Sequence, residues 1–315
     1  MNRIILDTDP GIDDALAIIL ALNSPEIQVE AITTVAGNVS QKKAHLNALK
    51  LLEFLRIDNI PVAKGAVKPI LRDVKDSEGF HGPDGLGDAV LPKPKLRSFE
   101  KSAIEIIREK ADELCDELII VAIGPLTNIA SFILAYPNIA VKIRELIIMG
   151  GAFNLTPYGY GNVTPVAEFN IWIDPEAAKI VFNSSIPITA IGLDVTTNPK
   201  NGLSKELFEK IIGLGTKKSN LIFDLCKRHI NRVGHFNLHD PLAVAAAVDQ
   251  SIIKTDKFVV DVETVGELTR GQTIVDKRHL DHVKTSRDSN VNICIDVNSE
   301  SFLKIFSDRI VDGQV

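Results

Sequence analysis

Short apolar runs of strand length recur at Ile4–Leu6, Val29–Val35, Leu118–Ile123, Leu146–Met149 and Ile186–Ile191. Runs this continuous suit strands buried on both faces rather than half-exposed ones. Helical periodicity follows most of them, at Asp14–Leu22, Gln41–Leu55, Lys101–Asp112, Leu126–Leu134 and Pro175–Phe182. Pro175 behind Asp174 gives the last of these a first-turn proline and a capping carboxylate. Strands alternating with helices predict an α/β fold: an open, mainly parallel (mixed) sheet flanked by helices, with a site at the carboxyl ends of the strands.

Three segments break the rhythm. Asp73–Leu91 is Gly-rich, carries His81 and reads as a flap. Ser204–His239 reads as a helical cap near the active site, interrupted at Gly234, and the tail from Lys257 as strands with a turn at Glu267–Gly271. No repeat or linker cuts the chain, so residues 1–315 are expected to form a single α/β domain.

Composition narrows the partners. With 45% hydrophobic and 24% charged residues over 315 positions the chain is globular rather than disordered. A net charge of -6 with scattered Lys and Arg offers no basic footprint for nucleic acid or an anionic membrane, which leaves a small molecule. Cys115, Cys226 and Cys294 form no CxxC and suggest neither a disulfide framework nor a thiolate zinc site. The chain opens Met1-Asn2-Arg3 and enters an apolar strand at once, and its apolar runs fall short of the roughly 20 residues a membrane span needs. A cytoplasmic location is the expectation.

The stretch IILDTDPGIDDAL sets Asp7, Asp9, Asp13 and Asp14 within eight residues of an apolar neighbourhood. One aspartate at a helix start is an ordinary cap, but carboxylates this crowded repel unless a cation sits between them. An EF-hand starting at Asp7 is excluded, because Ile12 and Ile18 stand where its glycine and closing glutamate belong. The oxygen-rich set favours a hard cation, calcium or magnesium, over zinc.

Other polar residues sit at predicted strand-to-helix junctions. Asn38 follows the second strand in TTVAGN, Ile123 opens GPLTN, and His239-Asp240 leads the apolar helix LAVAAAV. As turn formers or caps each is unremarkable alone. His235 and His239 have the spacing of a zinc pair on one helix face, which Gly234 and Asn237 oppose. If Val166–Ile173 is a strand, Glu168, Asn170 and Trp172 share one polar face, and with Asn162 nearby this set suits a hydroxyl-rich ligand.

Taken together, DTDPGIDDALAI, AITTVAGN, GPLTNIA, IIMGG, VAEFNIWIDPEAA and HDPLAV resemble, in order and spacing and over nearly the whole chain, the nucleoside hydrolases of the inosine-uridine preferring type. These enzymes cleave the N-glycosidic bond of ribonucleosides, in nucleoside salvage. The resemblance implies one Ca²⁺ per subunit held by Asp9, Asp14, Asp240 and the Ile123 carbonyl. It implies that Asp9 is also the general base toward the metal-bound water, with Asp7 and Asp13 as supporting carboxylates. Asp14, Asn38, Asn162, Glu168 and Asn170 would hold the ribose hydroxyls, Met149 would lie beneath the ring, His81 would join the substrate contacts and His239 would face the leaving base. A homodimer or homotetramer is implied as well. Around the base, RHINRVGHFNL offers His229, Arg232, His235 and Phe236. Purine-specific members often stack the base between tryptophans, and Trp172 is the one tryptophan here, which tilts the expectation to a broad or pyrimidine-leaning enzyme.

Two rivals remain. A haloacid dehalogenase-like phosphatase would use Asp7 as nucleophile and Asp9 as acid with Mg²⁺, although Gly11 stands where a threonine is usual and Asp13-Asp14 would be unexplained. A catalytically silent nucleoside- or ribose-binding protein would keep the site without turnover.

Overall fold

The first apolar run becomes β1 (Asn2–Thr8), and the next become β2 (Ile27–Thr34), β3 (Val62–Lys64), β4 (Leu118–Ala122), β5 (Glu145–Met149) and β6 (Ile188–Ile191). The computed structural model describes residues 1–73, 78–278 and 291–311, so parts of the predicted flap and of the strand-rich tail lie outside the described residues. Short strands β7 (Leu203–Ser204) and β8 (His235–Phe236) follow, then β9 (Ile253–Phe258), β10 (Val260–Val262), β11 (Thr273–Val275) and β12 (Val291–Val297). The helices are α1 (Ile12–Leu22), α2 (Gln41–Leu55), α3 (Glu78–His81), α4 (Ala103–Leu114), α5 (Thr127–Ala135), α6 (Pro137–Ala140) and α7 (Phe169–Ile173). After them come α8 (Pro175–Phe182), α9 (Leu193–Thr196), α10 (Lys205–Gly213), α11 (Lys217–Val233), α12 (His239–Val248) and α13 (Ser299–Ile310).

Eight strands form one sheet in the order β3-β2-β1-β4-β5-β6-β12-β9. All neighbours pair in parallel except the edge strand β9, so the mainly parallel, mixed sheet read from the sequence is what forms. The order reverses between β1 and β4, and at such a switch point the connections leave in opposite directions, opening a crevice at the carboxyl ends.

The two-residue period of the strands sorts their side chains onto two helical layers. Ile4 and Leu6 of β1, Ile119 and Val121 of β4, and Ile147 and Met149 of β5 join the core under α1, α2, α11, α12 and α13. Ile5, Ile120, Ala122 and Ile148 join the core under α4, α5 and α8 on the other face. Each fully buried side chain of this kind stabilises the fold by about 1.5–3 kcal/mol. α1 is apolar nearly all round because it is enclosed by neighbours, with α12 packed alongside.

Helices α2 and α8 have the bounds read from periodicity, and the Asp174 carboxylate caps α8 by accepting the Ala177 N–H at 3.1 Å. The cap segment resolves into α10 and α11, and Gly234, at φ 85°, ends α11 before β8. One reading is corrected: Val166–Ile173 is not a strand, since Phe169–Ile173 forms α7. Glu168 decides this, because its carboxylate accepts the N–H groups of Asn170 at 2.9 Å and Ile171 at 3.1 Å, which satisfies a helix start that no strand would offer. Trp172 consequently leaves the polar face proposed for it and packs beneath the Arg72 guanidinium, 5.7 Å from ring centre to carbon. The closing helix α13 was not read from the sequence. Among the described residues, no helix is long and apolar enough to cross a membrane.

Candidate active site

Five strands deliver their ends to one crevice. Asp9 follows β1, Asn38 follows β2, Ile123 follows β4, Met149 ends β5, and Thr196 follows β6. The first turns of α7 and α12 add Asn170, His239 and Asp240 from the sides. Of these groups Asn38, Ile123, Met149, Asn170, His239 and Asp240 border a cavity of about 300 Å³, which also has Asp13, Phe80, His81, Glu168, Asn162 and Asn237 in its wall.

Asp14 is the structural knot of the aspartate turn. Its Oδ1 accepts from Thr8 Oγ1 at 2.5 Å and the Asp9 N–H at 3.2 Å, and its Oδ2 accepts from the Gly11 N–H and Asn38 Nδ2, both at 2.9 Å. The capping role is therefore filled, but by a carboxylate that also lies within 4.8 Å of Asp13 and Asp240, two residues of the cavity wall. Asp9 is held at one oxygen only: Oδ2 accepts the Asn38 N–H at 2.5 Å, while buried Oδ1 has no partner. Glycines make that placement possible, because a Cβ on Gly37 would stand 2.0 Å from Asp9 Oδ2 and one on Gly124 2.7 Å from Asp9 Oδ1.

Strand alternation puts Asp7 on the side of Ile5, toward α5. Its Oδ1 accepts from Thr33 Oγ1 at 2.5 Å and Asn128 Nδ2 at 2.7 Å, tying the end of β1 to β2 and α5. A phosphatase nucleophile must be open to its substrate, whereas Asp7 is fully buried, holds two donors on Oδ1 and does not line the cavity, which disfavours the phosphatase reading.

The cavity floor concentrates negative charge. Ligand atoms of Asp13, Asp14 and Asp240 lie within 4.8 Å of one another, all three buried, and Asp13 Oδ1 is a second orphaned oxygen. Among the described residues, no Lys or Arg lines the cavity. Burial, reinforced by Asp14, pushes Asp13 up to about 8. Burial raises Asp9 and Asp240 well above the ordinary aspartate range, and the neighbouring carboxylates push the same way. Paired oxygens without partners, in an all-oxygen set with no internal counter-charge, are what a hard divalent cation fits. The Ile123 carbonyl accepts Asn170 Nδ2 at 3.0 Å and keeps a second lone pair. Among the described residues Asp13, Asp14 and Asp240 form this triad, and Asp9 is not part of it.

Around that floor the polar groups are fixed in place. Glu168 accepts the Gly151 N–H at 3.0 Å besides capping α7, and Asn170 Nδ2 also donates to the Met149 carbonyl at 3.1 Å. Asn162 is exposed at the mouth. The loop before it is folded over the Asp194 carboxylate, which accepts the N–H groups of Phe153 at 2.8 Å and Leu155 at 2.6 Å.

Histidines close the other side. His81 is buried and its Nδ1 accepts the Ile12 N–H at 3.1 Å, a free donor of the α1 start. Burial pushes its imidazole down to about 3, so it is neutral and supplies no counter-charge to Asp13, 4.0 Å away. His239 meets Thr196 Oγ1 through Nδ1 at 2.8 Å, and burial holds its imidazole near 4. His235 lies in β8 and His239 opens α12, so the zinc spacing does not correspond to one helix face. Of the residues in RHINRVGHFNL, His229 and Phe236 enter an aromatic ladder with Phe80.

Phe80, Thr196 and Asp194 carry no role in the sequence reading, and Asn237 lies in RHINRVGHFNL without one of its own. Thr196 has a usable signal, since it follows a buried strand, and Asn237 has one in its place beside His239-Asp240; Phe80 and Asp194 are placed by distant segments.

Comparison with known proteins agrees with this geometry. The sequence model of the family described as inosine-uridine preferring nucleoside hydrolase matches residues 4–304. The chain is 39% identical over 314 residues to the pyrimidine-specific ribonucleoside hydrolase RihA of Escherichia coli O7:K1, covering 98% of this chain and 97% of that protein. Its fold superposes on a plant nucleoside hydrolase, PpNRh1, with a TM-score of 0.91 at 32% identity over 99% of both chains. A purine-preferring ribonucleoside hydrolase from Gardnerella vaginalis gives 0.88 at 34% identity over 98% of both. The chain thus belongs to the inosine-uridine preferring nucleoside hydrolases and is a ribonucleoside hydrolase.

Proposed function

We propose that this enzyme is calcium-dependent, that Asp9 is its general base, and that it favours pyrimidine ribonucleosides in nucleoside salvage. The observation that carries the reading is the convergence of Asp13, Asp14 and Asp240 at the cavity floor beside an Asp9 oxygen with no partner. Asp9, Asp14, Asp240 and the Ile123 carbonyl would hold the cation, with Asp13 and Asp7 supporting. When bound, such a cation supplies the positive charge that keeps these carboxylates ionised and acidifies the attacking water. Calcium polarises water weakly, so a carboxylate base is needed, and Asp9 Oδ1 is free to take the proton while Oδ2 stays anchored on Asn38.

Asp14, Asn38, Asn162, Glu168 and Asn170 would hold the ribose hydroxyls over Met149, with His81 closing the wall. As the glycosidic bond breaks, the ribose gains oxocarbenium character, which buried carboxylates stabilise. With Thr196 engaging Nδ1, His239 has Nε2 left to hydrogen-bond the departing base. Free, buried Cys226 and Cys294 fit a reducing, cytoplasmic setting, and assembly as a homodimer or homotetramer completes the proposal.

The pyrimidine preference draws on the likeness to RihA and on the wall itself, where Phe80 stands and Trp172 does not. Reducing-sugar release from uridine, cytidine, inosine and adenosine tests it: the two pyrimidine nucleosides are expected to have kcat/KM higher by about 10-fold or more. Equal or reversed ranking overturns the preference, and no release from any of the four overturns the reading of the site.

The seating of Asp9 has its own test. Gly37→Ala forces a methyl group onto its carboxylate and is expected to lower kcat by about 100-fold, the scale of misplacing a catalytic group by an ångström. A thermal melt separates this from unfolding, and native turnover in a folded variant would show that the carboxylate need not be where it is.

A further inference from the structure

We propose that Asn237 reads the hydrogen-bonding edge of the leaving nucleobase, an assignment that rests on the cavity being the ribonucleoside site. Asn237 borders the cavity between β8 and α12, and its Oδ1 is enclosed without a hydrogen-bond partner. An enclosed, unpaired acceptor is costly and calls for a ligand or partner to meet it. Two other polar groups of the wall are committed within the protein: Asn170 to the Ile123 and Met149 carbonyls, Glu168 to the Gly151 N–H. The Asn237 oxygen is not.

Its surroundings suit a flat heteroaromatic ring. Phe236, the preceding residue, packs on His229 with ring centres 5.4 Å apart, and His229 packs on Phe80 at 4.4 Å. Phe80 is half exposed and borders the same cavity. A ring lying against Phe80 presents its face to an aromatic surface and leaves its polar edge for a carboxamide. The carboxamide offers an acceptor and donors side by side. It therefore complements the N3–H and carbonyl of uracil, and after a half-turn about χ2 the N3 and amino group of cytosine. One residue can thus accept both pyrimidines.

The test compares the unaltered enzyme with N237A and the near-isosteric N237L on uridine, 3-methyluridine and p-nitrophenyl riboside, whose leaving group lacks that donor–acceptor pair. Expected is a fall in kcat/KM for uridine at least about tenfold larger than the fall for the nitrophenyl riboside. Methylation of N3 should cost the unaltered enzyme about tenfold and the variants much less. Equal losses on both ribosides, or no loss on uridine, overturn the assignment while leaving the hydrolase reading intact. Failure of the unaltered enzyme to cleave any of the three overturns that reading and the assignment with it.

Discussion

Asp9→Asn is expected to lower kcat by about a thousandfold or more, the scale of losing a positioned general base, with binding of a ribose-like ligand largely kept. The substitution preserves shape, so the side chain still fits between Gly37 and Gly124, and its amide oxygen can still accept the Asn38 N–H. What it removes is the basic Oδ1 and one negative charge near the triad. A larger truncation, Asp9→Ala, opens a cavity and should also weaken the cation, so a comparison of the two variants separates base from ligand. Stopped assays of sugar release and equilibrium binding of a ribose analogue give kcat and affinity separately. Near-native kcat in the Asn variant would remove Asp9 from the role of base.

Chelation is expected to abolish turnover, with calcium restoring it, and to make stability depend on pH in a direction the buried carboxylates dictate. In the metal-free chain, burial raises Asp7 to about 7 and Asp13 to about 8 from an ordinary 3.8, and Asp9 and Asp240 rise as well. The folded form then holds more protons than the unfolded form between pH 4 and pH 8, so stability falls as pH rises through that window. Below it, both forms are protonated and the effect vanishes. A drop in Tm of at least about 5 °C from pH 5 to pH 8 is expected after chelation. Added calcium should raise Tm most at the upper end, because protons compete with it for the same oxygens. A Tm indifferent to calcium at pH 8, or turnover that survives chelation, would sink the metal assignment.

The layering was legible because a parallel sheet buried on both faces writes its strands as apolar runs, and the runs at Leu118 and Leu146 lie almost residue for residue where β4 and β5 form. Cap chemistry was legible at Asp174 for the same local reason. The strand reading of Val166–Ile173 failed because alternation over so few residues cannot distinguish the two periods, and the choice fell to the Glu168 carboxylate, whose partner Gly151 comes from another loop.

By itself, then, the sequence determined the alternation of elements, the family through its ordered motifs, and the crowding of aspartates after the first strand. Spacing along one strand or turn is local, so short-range sterics and solvation decide it. Only the tertiary structure decided which aspartates face one another: Asp7 turns to Asn128 in α5, whereas Asp13 and Asp14 meet Asp240 from the far end of the chain. It also decided that Phe80, His229 and Phe236 build one wall and that Asn237 borders it unpaired. Such contacts join residues far apart in sequence, and their energies depend on burial and orientation that exist only once the sheet has brought its carboxyl ends together.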